Sequence, residues 1–185
     1  MTKKTWTITY CADTTSLKVE AESFIKAVEK VKDNLSCANL KGVSLNYADL
    51  SGANLHGADL EGAKLNATYL NGADLHEANL NGASLRGADL EGADLSDAFL
   101  IRASLKGAKL NNAHLRGVNL KGSYLRGADL SRSDLEEADF RGTDLERADL
   151  KGARLNNTQL RGANLRGADL SGVDLSGAKG MPGLD

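Results

Sequence analysis

Hydrophobic residues recur at every fifth position over most of the chain. From Leu40 to Leu175, Leu occupies 27 of the 28 positions in this series, and Phe140 is the exception. A small residue lies two positions before each of them, and in the series from Ala38 to Ala178 it is Ala at 21 of 29 positions. An α-helix repeats about every 3.6 residues and a β-strand about every two, so neither keeps these side chains on one face. The pattern predicts short extended segments joined by regular corners.

Each member of the five-residue unit has a predicted orientation. The small residue and the Leu are two positions apart in an extended segment, so both point inward and the residue between them points outward. The next two residues form the corner, and Gly fills the second corner position in 18 of 28 units. A type II turn needs a positive φ there, which Gly adopts freely and Asn tolerates. We expect type I corners in the eight units that have another residue at this position, namely Tyr47, Ala67, Glu77, Asp97, Arg102, Arg132, Glu137 and Arg147.

The repeated motif is A(D/N)LxG, as in the sequence ADLSG at residues 48–52, and it covers residues 38–179 without interruption. This motif resembles the pentapeptide-repeat family. The resemblance implies an all-β solenoid, a right-handed quadrilateral β-helix in which four units make one coil. The 28 units then form about seven coils. At a strand spacing of roughly 4.8 Å the coils stack into a rod roughly 34 Å long. Leu fills its core and leaves no interior room for a substrate.

The first 37 residues break the repeat. Residues 5–10 and 16–21 alternate between apolar and polar side chains, which predicts two strands, and residues 13–15 between them predict a turn. Ser23 is a suitable N-cap, and apolar residues at helical spacing follow it. The segment therefore predicts a hairpin followed by a helix.

Both ends of a solenoid expose its core and need a cover. We expect the ββα unit of residues 1–37 to cap the first coil. The alternative is a small recognition module, with Trp6 and Tyr10 as candidate protein contacts. Residues 180–185 leave the repeat and form a short tail. Some pentapeptide-repeat proteins dimerise through their C-terminal coils, so the resemblance also implies an end-to-end homodimer as an alternative here.

The composition of the chain and the motifs that it lacks exclude several classes of function. The chain has 185 residues and a net charge of −2, which fits one domain with a small cap. It has no run of 18 apolar residues and no secretory signal, so we expect no membrane association. Cys11 and Cys37 form no CxxC pair, which favours free thiols in a reducing, cytoplasmic setting. There is no nucleophile–base set, GxxxxGK[ST] loop or HExxH motif, so we expect neither an enzyme nor a cofactor.

Two local features interrupt the regular surface. Phe99 and Ile101 flank Leu100, so both are expected to face solvent as an apolar pair, a candidate protein contact. His56 and His76 are 20 residues apart and are expected to stack in one column. Exposed neutral histidines are the favoured interpretation of that pair, and a shared metal ion is the alternative.

Charge is distributed unevenly around the predicted rod. Residues 20 apart share one side, and the summed charges of the four sides are +2, +4, −3 and −6. The most negative side supplies what we call the acidic face, which consists of Asp74, Glu77, Asp94, Asp97, Asp134, Glu136, Glu137 and Asp174. The most positive side supplies the basic ladder, which consists of Arg86, Lys106, Arg126 and Arg166.

Three functions follow from the resemblance and the charges. The first is a non-catalytic scaffold or protein-binding rod whose partner the sequence does not identify. The second is a regulator or inhibitor of a type II topoisomerase such as DNA gyrase, because quinolone-resistance members of the family act as DNA mimics. B-DNA carries about 20 charges over such a length, whereas the two acidic sides sum to −9. Those members also commonly have loops that this repeat lacks. The third is a polyanion binder through the basic faces, although without an aromatic column we do not expect direct nucleic-acid binding.

Overall fold

The computed structural model of the chain describes residues 2–10 and 16–181. The predicted turn at residues 13–15, Cys11 and the last four residues of the predicted tail lie outside these ranges. No helix within the two ranges combines the length and apolar character that a membrane crossing requires.

The N-terminal segment contains two long strands and a helix. Strand β1 spans Lys4–Tyr10, β2 spans Ser16–Ala21, and α1 spans Phe24–Lys30. A single 3₁₀ turn at Lys32–Asn34 and the short strand β3 at Ala38–Asn39 follow. Strand β1 is central and pairs antiparallel with both β2 and β3. Because β3 also belongs to the first coil, the hairpin is hydrogen-bonded directly to the solenoid.

Helix α1 begins at its N-cap and ends earlier than the apolar spacing predicts. The Ser23 hydroxyl accepts a hydrogen bond from the Lys26 N–H at 3.2 Å. Beyond Lys30 the backbone bonds to the coil instead: Asn54 N–H donates to the Lys32 carbonyl at 2.9 Å, and Leu35 N–H donates to the Asn54 carbonyl at 3.1 Å. The coil pattern therefore starts at Leu35, three residues before the boundary at 38 that the sequence predicts.

Parallel bridges between residues 20 positions apart build the rest of the chain. They run without a gap from Asn39–Asp59 to Gln159–Lys179, in four columns. At each bridge the N–H of the central residue donates to the next coil, as that of Leu40 does to the Asp59 carbonyl at 2.8 Å. The short segments therefore satisfy their backbone groups between coils rather than within a long strand.

The corners differ from the sequence-based expectation. All eight units predicted to have type I corners have a positive φ at the second corner position, between 51° at Ala67 and 64° at Glu137. The carbonyl of residue i accepts from the N–H of i+3, as in Leu45 to Ala48 at 3.1 Å, which together with the positive φ is the pattern of a type II turn. Stacking is the physical reason, because the same residue must also donate to the coil beyond, as Tyr47 does to the Asn66 carbonyl at 3.1 Å. Contact between coils overrides the local preference of the residue.

The core is continuous along the solenoid. Every central residue from Leu40 to Leu160 is at most 1% exposed, including Phe140. At the C-terminal end, Leu165, Leu170 and Leu175 are only partly buried against this core. The rod therefore has a closed interior and an apolar surface at its C-terminal end.

Polar residues that replace Ala at the small position keep their hydroxyl groups bonded. Thr68 and Thr143 donate to the carbonyls of Leu45 and Leu120, both at 2.8 Å. No buried side-chain nitrogen or oxygen in the described part of the chain lacks a partner. These hydrogen bonds offset the cost of removing the hydroxyl groups from water.

Candidate binding surfaces

Many of the exposed Asp and Asn side chains have a structural role. The carboxylate or amide oxygen before the central Leu accepts a hydrogen bond from the corner N–H two residues later, as Asp59 does from Glu61 at 3.1 Å. At the last such corner, bonds from the Ser176 hydroxyl, the Asn156 amide and the Ser176 N–H lower the pKa of Asp174 to about 2. The charge pattern of the sequence indicates the Asp residues only as surface charge. Their fixed spacing of two from a corner residue was the signal for this second role.

Four residues of the acidic face form a free cluster, which we call the upper acidic group: Asp74, Glu77, Asp94 and Asp97. No Lys or Arg nitrogen in the described residues lies within 4.0 Å of these carboxylates. Glu77 instead lies 3.7 Å from the imidazole of His76. Partial burial acts to raise the pKa of Asp94, but hydrogen bonds from Ser96 and the nearby charges of His114 and His76 bring it below its usual value. Asp94 is therefore ionised at neutral pH.

The rest of the acidic face is largely compensated. Arg154 lies 3.2 Å from Asp134 and 3.1 Å from Glu136, and Arg116 lies 2.9 Å from Glu137. These cations belong to the same side of the rod. The structure therefore does not bring the eight predicted carboxylates together as one continuous negative surface.

The basic ladder is also interrupted. The Glu146 carboxylate lies 3.3 Å from Arg126, 3.7 Å from Arg166 and 3.8 Å from Arg147, and its side chain is 13% exposed. Arg86 and Lys106 have no carboxylate within 4.0 Å among the described residues. A single acidic residue therefore pairs with two of the four predicted cations and lies between them in the column.

One member of the apolar pair, Ile101, lines a shallow groove, and Phe99 lies two residues before it in the chain. Phe99 is 46% exposed, as predicted for a side chain facing solvent. Ile101 is only half-exposed, because it lies within an open groove of about 670 Å³. The residues lining this groove are Glu61, Asn81, Gly82, Ile101, Arg102, Lys121, Gly122, Arg141 and Gly142. All belong to corners on five successive coils, and sequence analysis did not identify the groove.

The N-terminal candidates are engaged within the protein. Trp6 Nε1 donates to the Ala21 carbonyl at 3.2 Å, and its ring meets Phe24 edge-on with centroids 5.7 Å apart. The Tyr10 hydroxyl donates to the Asn34 carbonyl at 2.8 Å. Both side chains are half-buried, so little of either is left for a partner.

The two predicted stacking histidines do meet. The rings of His56 and His76 are 5.3 Å apart between centroids and 17° from parallel. Within residues 2–10 and 16–181, no three metal-ligating side chains converge on one point. Cys37 is a free thiol there, in a corner with a φ of 55°.

Comparison with known proteins identifies the repeat. A family model described as pentapeptide repeats matches residues 34–72, 68–107, 103–142 and 143–179. The first matched residue adjoins Leu35, where the hydrogen bonding between coils begins. No curated protein matches the chain by sequence.

Several solved structures are similar. HetL, a pentapeptide repeat protein involved in heterocyst differentiation regulation in the cyanobacterium Nostoc sp. strain PCC 7120, is 36% identical, with 77% of each chain covered and a TM-score of 0.31. Another pentapeptide repeat protein of Nostoc PCC 7120 is 43% identical, with 51% of this chain and 74% of its own covered and a TM-score of 0.33. QnrB1, a plasmid-mediated fluoroquinolone resistance protein, is 19% identical, with 80% and 84% covered and a TM-score of 0.30. None of these similarities assigns a partner to this chain.

Proposed function

The chain belongs to the pentapeptide-repeat family, and we propose that it acts as a non-catalytic rod that binds a protein partner through its outer surface. The observation that carries this proposal is the repeated exposed column. Because bridges join residues 20 apart, each outward position is repeated at regular intervals along the rod. A rigid surface of this kind presents side chains at fixed spacing, at low entropic cost on binding. The Leu core leaves the exterior as the place for function.

The proposed architecture is a right-handed quadrilateral β-helix of about seven coils over residues 38–179, with residues 1–37 as cap and 180–185 as tail. Right-handed crossover is the strong preference for parallel strands. Contacts at the top of the first coil support the cap. Glu29 of α1 accepts from the Asp49 N–H at 2.9 Å, and the Lys32 ammonium donates to the Ser51 carbonyl at 2.7 Å. These groups take the positions that a preceding coil would occupy. A reducing, cytoplasmic setting fits the free thiol of Cys37.

Affinity capture tests the protein-binding proposal. The immobilised full chain is incubated with extract of the source organism, and retained proteins are quantified beside two charge-reversed variants, one of the upper acidic group and one of Arg86 and Lys106. We expect a protein retained in a fixed molar ratio, and a fall in its recovery with one variant alone would assign the contact to that side of the rod. Equal recovery by the parent and both variants would place the contact elsewhere on the outer surface, whereas retention of no protein in a fixed ratio would contradict the protein-binding proposal.

A second candidate function is inhibition of a type II topoisomerase through DNA mimicry. The observation that favours it is the upper acidic group, whose four carboxylates have no Lys or Arg partner among the described residues. Compensation by Arg116 and Arg154 limits this mimicry to about half of the acidic face. The basic ladder gives polyanion binding no such support, because Glu146 interrupts it.

A DNA gyrase supercoiling assay tests this second function. The variant changes Asp74 and Asp94 to Asn and Glu77 to Gln. The matched control changes Asp134 to Asn and Glu136 and Glu137 to Gln, which removes the same number of charges from carboxylates that Arg residues already pair. If mimicry operates, the parent and the control inhibit at micromolar protein and the variant loses inhibition. Absence of inhibition by the parent would exclude this function and leave the protein-binding rod.

A further inference from the structure

The groove beside Phe99 follows one edge of the rod because three of its corners lack side chains. Gly82, Gly122 and Gly142 lie at the same corner position of different coils, and a Cβ built on Gly82 would meet no atom within 4 Å. Ile101 lies on the coil between Gly82 and Gly122. Five coils at roughly 4.8 Å give the groove a length of about 19 Å, enough for about six residues of extended chain.

Two positively charged side chains, without a carboxylate partner among the described residues, line the middle of the groove. The side chains of Arg102 and Lys121 are exposed, and neither has a carboxylate within 4.0 Å among the described residues. Arg141 at the lower end is held by Asp139 at 2.6 Å, and Lys41 pairs with Glu61 at 2.7 Å at the upper end. The net positive potential is therefore concentrated around the middle of the groove, next to Ile101.

The centre of the groove combines three kinds of contact. Ile101 supplies an apolar spot in the lining, with the exposed ring of Phe99 two residues before it in the chain, and Arg102 and Lys121 add positive charge. The Asn81 Oδ1 atom accepts from the Ile101 N–H at 2.8 Å, which fixes the amide with its NH₂ group available as a donor. An apolar centre surrounded by polar and charged groups is the usual organisation of a protein-binding hot spot.

We propose that this groove binds an extended acidic segment of a partner protein, with one aliphatic or aromatic side chain seated on Phe99 and Ile101 and carboxylates facing Arg102 and Lys121. This inference rests on the proposed function of the chain as a protein-binding rod. Charge complementarity selects the acidic segment. A nucleic acid fits less well, because single strands need a series of aromatic platforms and duplexes need many phosphate contacts. The lining contains no aromatic ring and only two cations without a carboxylate within 4.0 Å among the described residues, and Phe99 is the single exposed ring near it in sequence.

A selection from a library of displayed 12-residue peptides on the immobilised full chain tests this proposal. Enriched peptides are synthesised with a fluorescent label, and their affinity is measured by anisotropy at low and moderate salt. One variant combines Arg102→Glu and Lys121→Glu. Its matched control combines Arg132→Glu and Lys151→Glu, which lie at equivalent corner positions on another side of the rod.

A second pair of variants tests the apolar contact. Phe99→Ser removes the ring at the groove, and Tyr69→Ser removes a comparably exposed ring on another side, since the two side chains are 46% and 54% exposed. Both changes lie on the surface, so circular dichroism and thermal midpoint are expected to stay close to those of the parent.

The expected result is enrichment of peptides that carry Asp or Glu around an apolar residue. Their affinity should fall at least tenfold with the double charge reversal and with Phe99→Ser, and change less than twofold with either control. Enriched peptides that bind both double variants equally would overturn the groove proposal while leaving the protein-binding function intact. No enrichment would also overturn it, and the capture experiment then decides the proposed function separately. Binding of a labelled 20-base-pair DNA duplex that is lost with the charge reversal would assign the groove to nucleic acid instead.

Discussion

At the scale of single residues, the corners hold the main local strain of the protein. Eleven non-glycine residues among those described have a positive φ, and ten of them occupy the second corner position of units within residues 38–179. The left-handed conformation costs an ordinary residue roughly 1–2 kcal/mol. The stacked coils impose this conformation, because the corner N–H must donate to the coil beyond. Corner residues are therefore sites at which substitution changes stability without touching the core.

Ala67 offers the cleanest test of this strain, since its side chain is a single methyl group at a φ of 51°. Ala67→Gly should raise the free energy of unfolding by roughly 0.5–1 kcal/mol, because the relieved strain exceeds the extra entropy of Gly in the unfolded chain. Gly62→Ala is the reverse experiment: its added Cβ meets no atom within 4 Å at a φ of 65°, so only backbone strain is introduced. Urea denaturation midpoints should move in opposite directions. A shift of both in one direction would contradict the strain argument.

The sequence predicts a structural feature correctly where a residue type has a single role. It fails where contacts with residues on adjacent coils determine the backbone conformation or the ion pairing. The Leu series predicted the core because burial depends on spacing, and every member from Leu40 to Leu160 except Phe140 is a Leu in the interior. Tyr47 and Glu77 were wrongly expected in type I corners, because their own preference is weaker than the stacking of coils. The pairing of Arg154 with Asp134 depends on side-chain conformations across coils, and summed charge does not reveal it.

At the scale of elements, the N-terminal hairpin and helix are coupled to the first coil. Ile8 on β1 is 1% exposed and belongs to the same core as the Leu series. Strand β1 pairs with β3 through Thr9 and Asn39. A module that folded by itself would need neither contact, so these contacts favour a cap whose stability is shared with the solenoid.

Substitution of Ile8 separates a cap from an independent module. Ile8→Ala removes buried methyl groups and should lower the free energy of unfolding by about 2–5 kcal/mol. Trp6 is the single Trp of the chain, so its fluorescence reports the N-terminal unit, while far-ultraviolet circular dichroism reports mainly the solenoid. For a cap, both signals should shift together to lower denaturant. A shift of fluorescence alone would show that the unit unfolds independently. Lys18→Ala, on the exposed face of β2, is the control and should leave both signals unchanged.

At the scale of the whole molecule, the two ends of the rod are not equivalent. The first coil is covered by α1 and by the Leu35 segment, and its central residues are fully buried. The last central residues, Leu165, Leu170 and Leu175, are partly exposed. Their backbone N–H groups have no backbone acceptor among the described residues. Partly exposed apolar side chains favour association, and this is the end at which the resemblance to the family implies a homodimer as an alternative.

We therefore expect the full chain to dimerise through this end, with twice the mass of one chain in sedimentation velocity at high micromolar concentration. Leu170→Asp places a charge in the centre of the end surface and should yield monomers, because an unpaired carboxylate cannot be buried between two copies without a large desolvation cost. Ser171→Asp is the matched control: it adds the same charge at an exposed neighbouring corner and should leave the dimer intact. A monomeric parent, or a Leu170→Asp variant that stays dimeric, would contradict end-to-end association. Association would also place the grooves of two copies on one longer rod, so each partner protein could contact two equivalent sites and gain affinity through avidity.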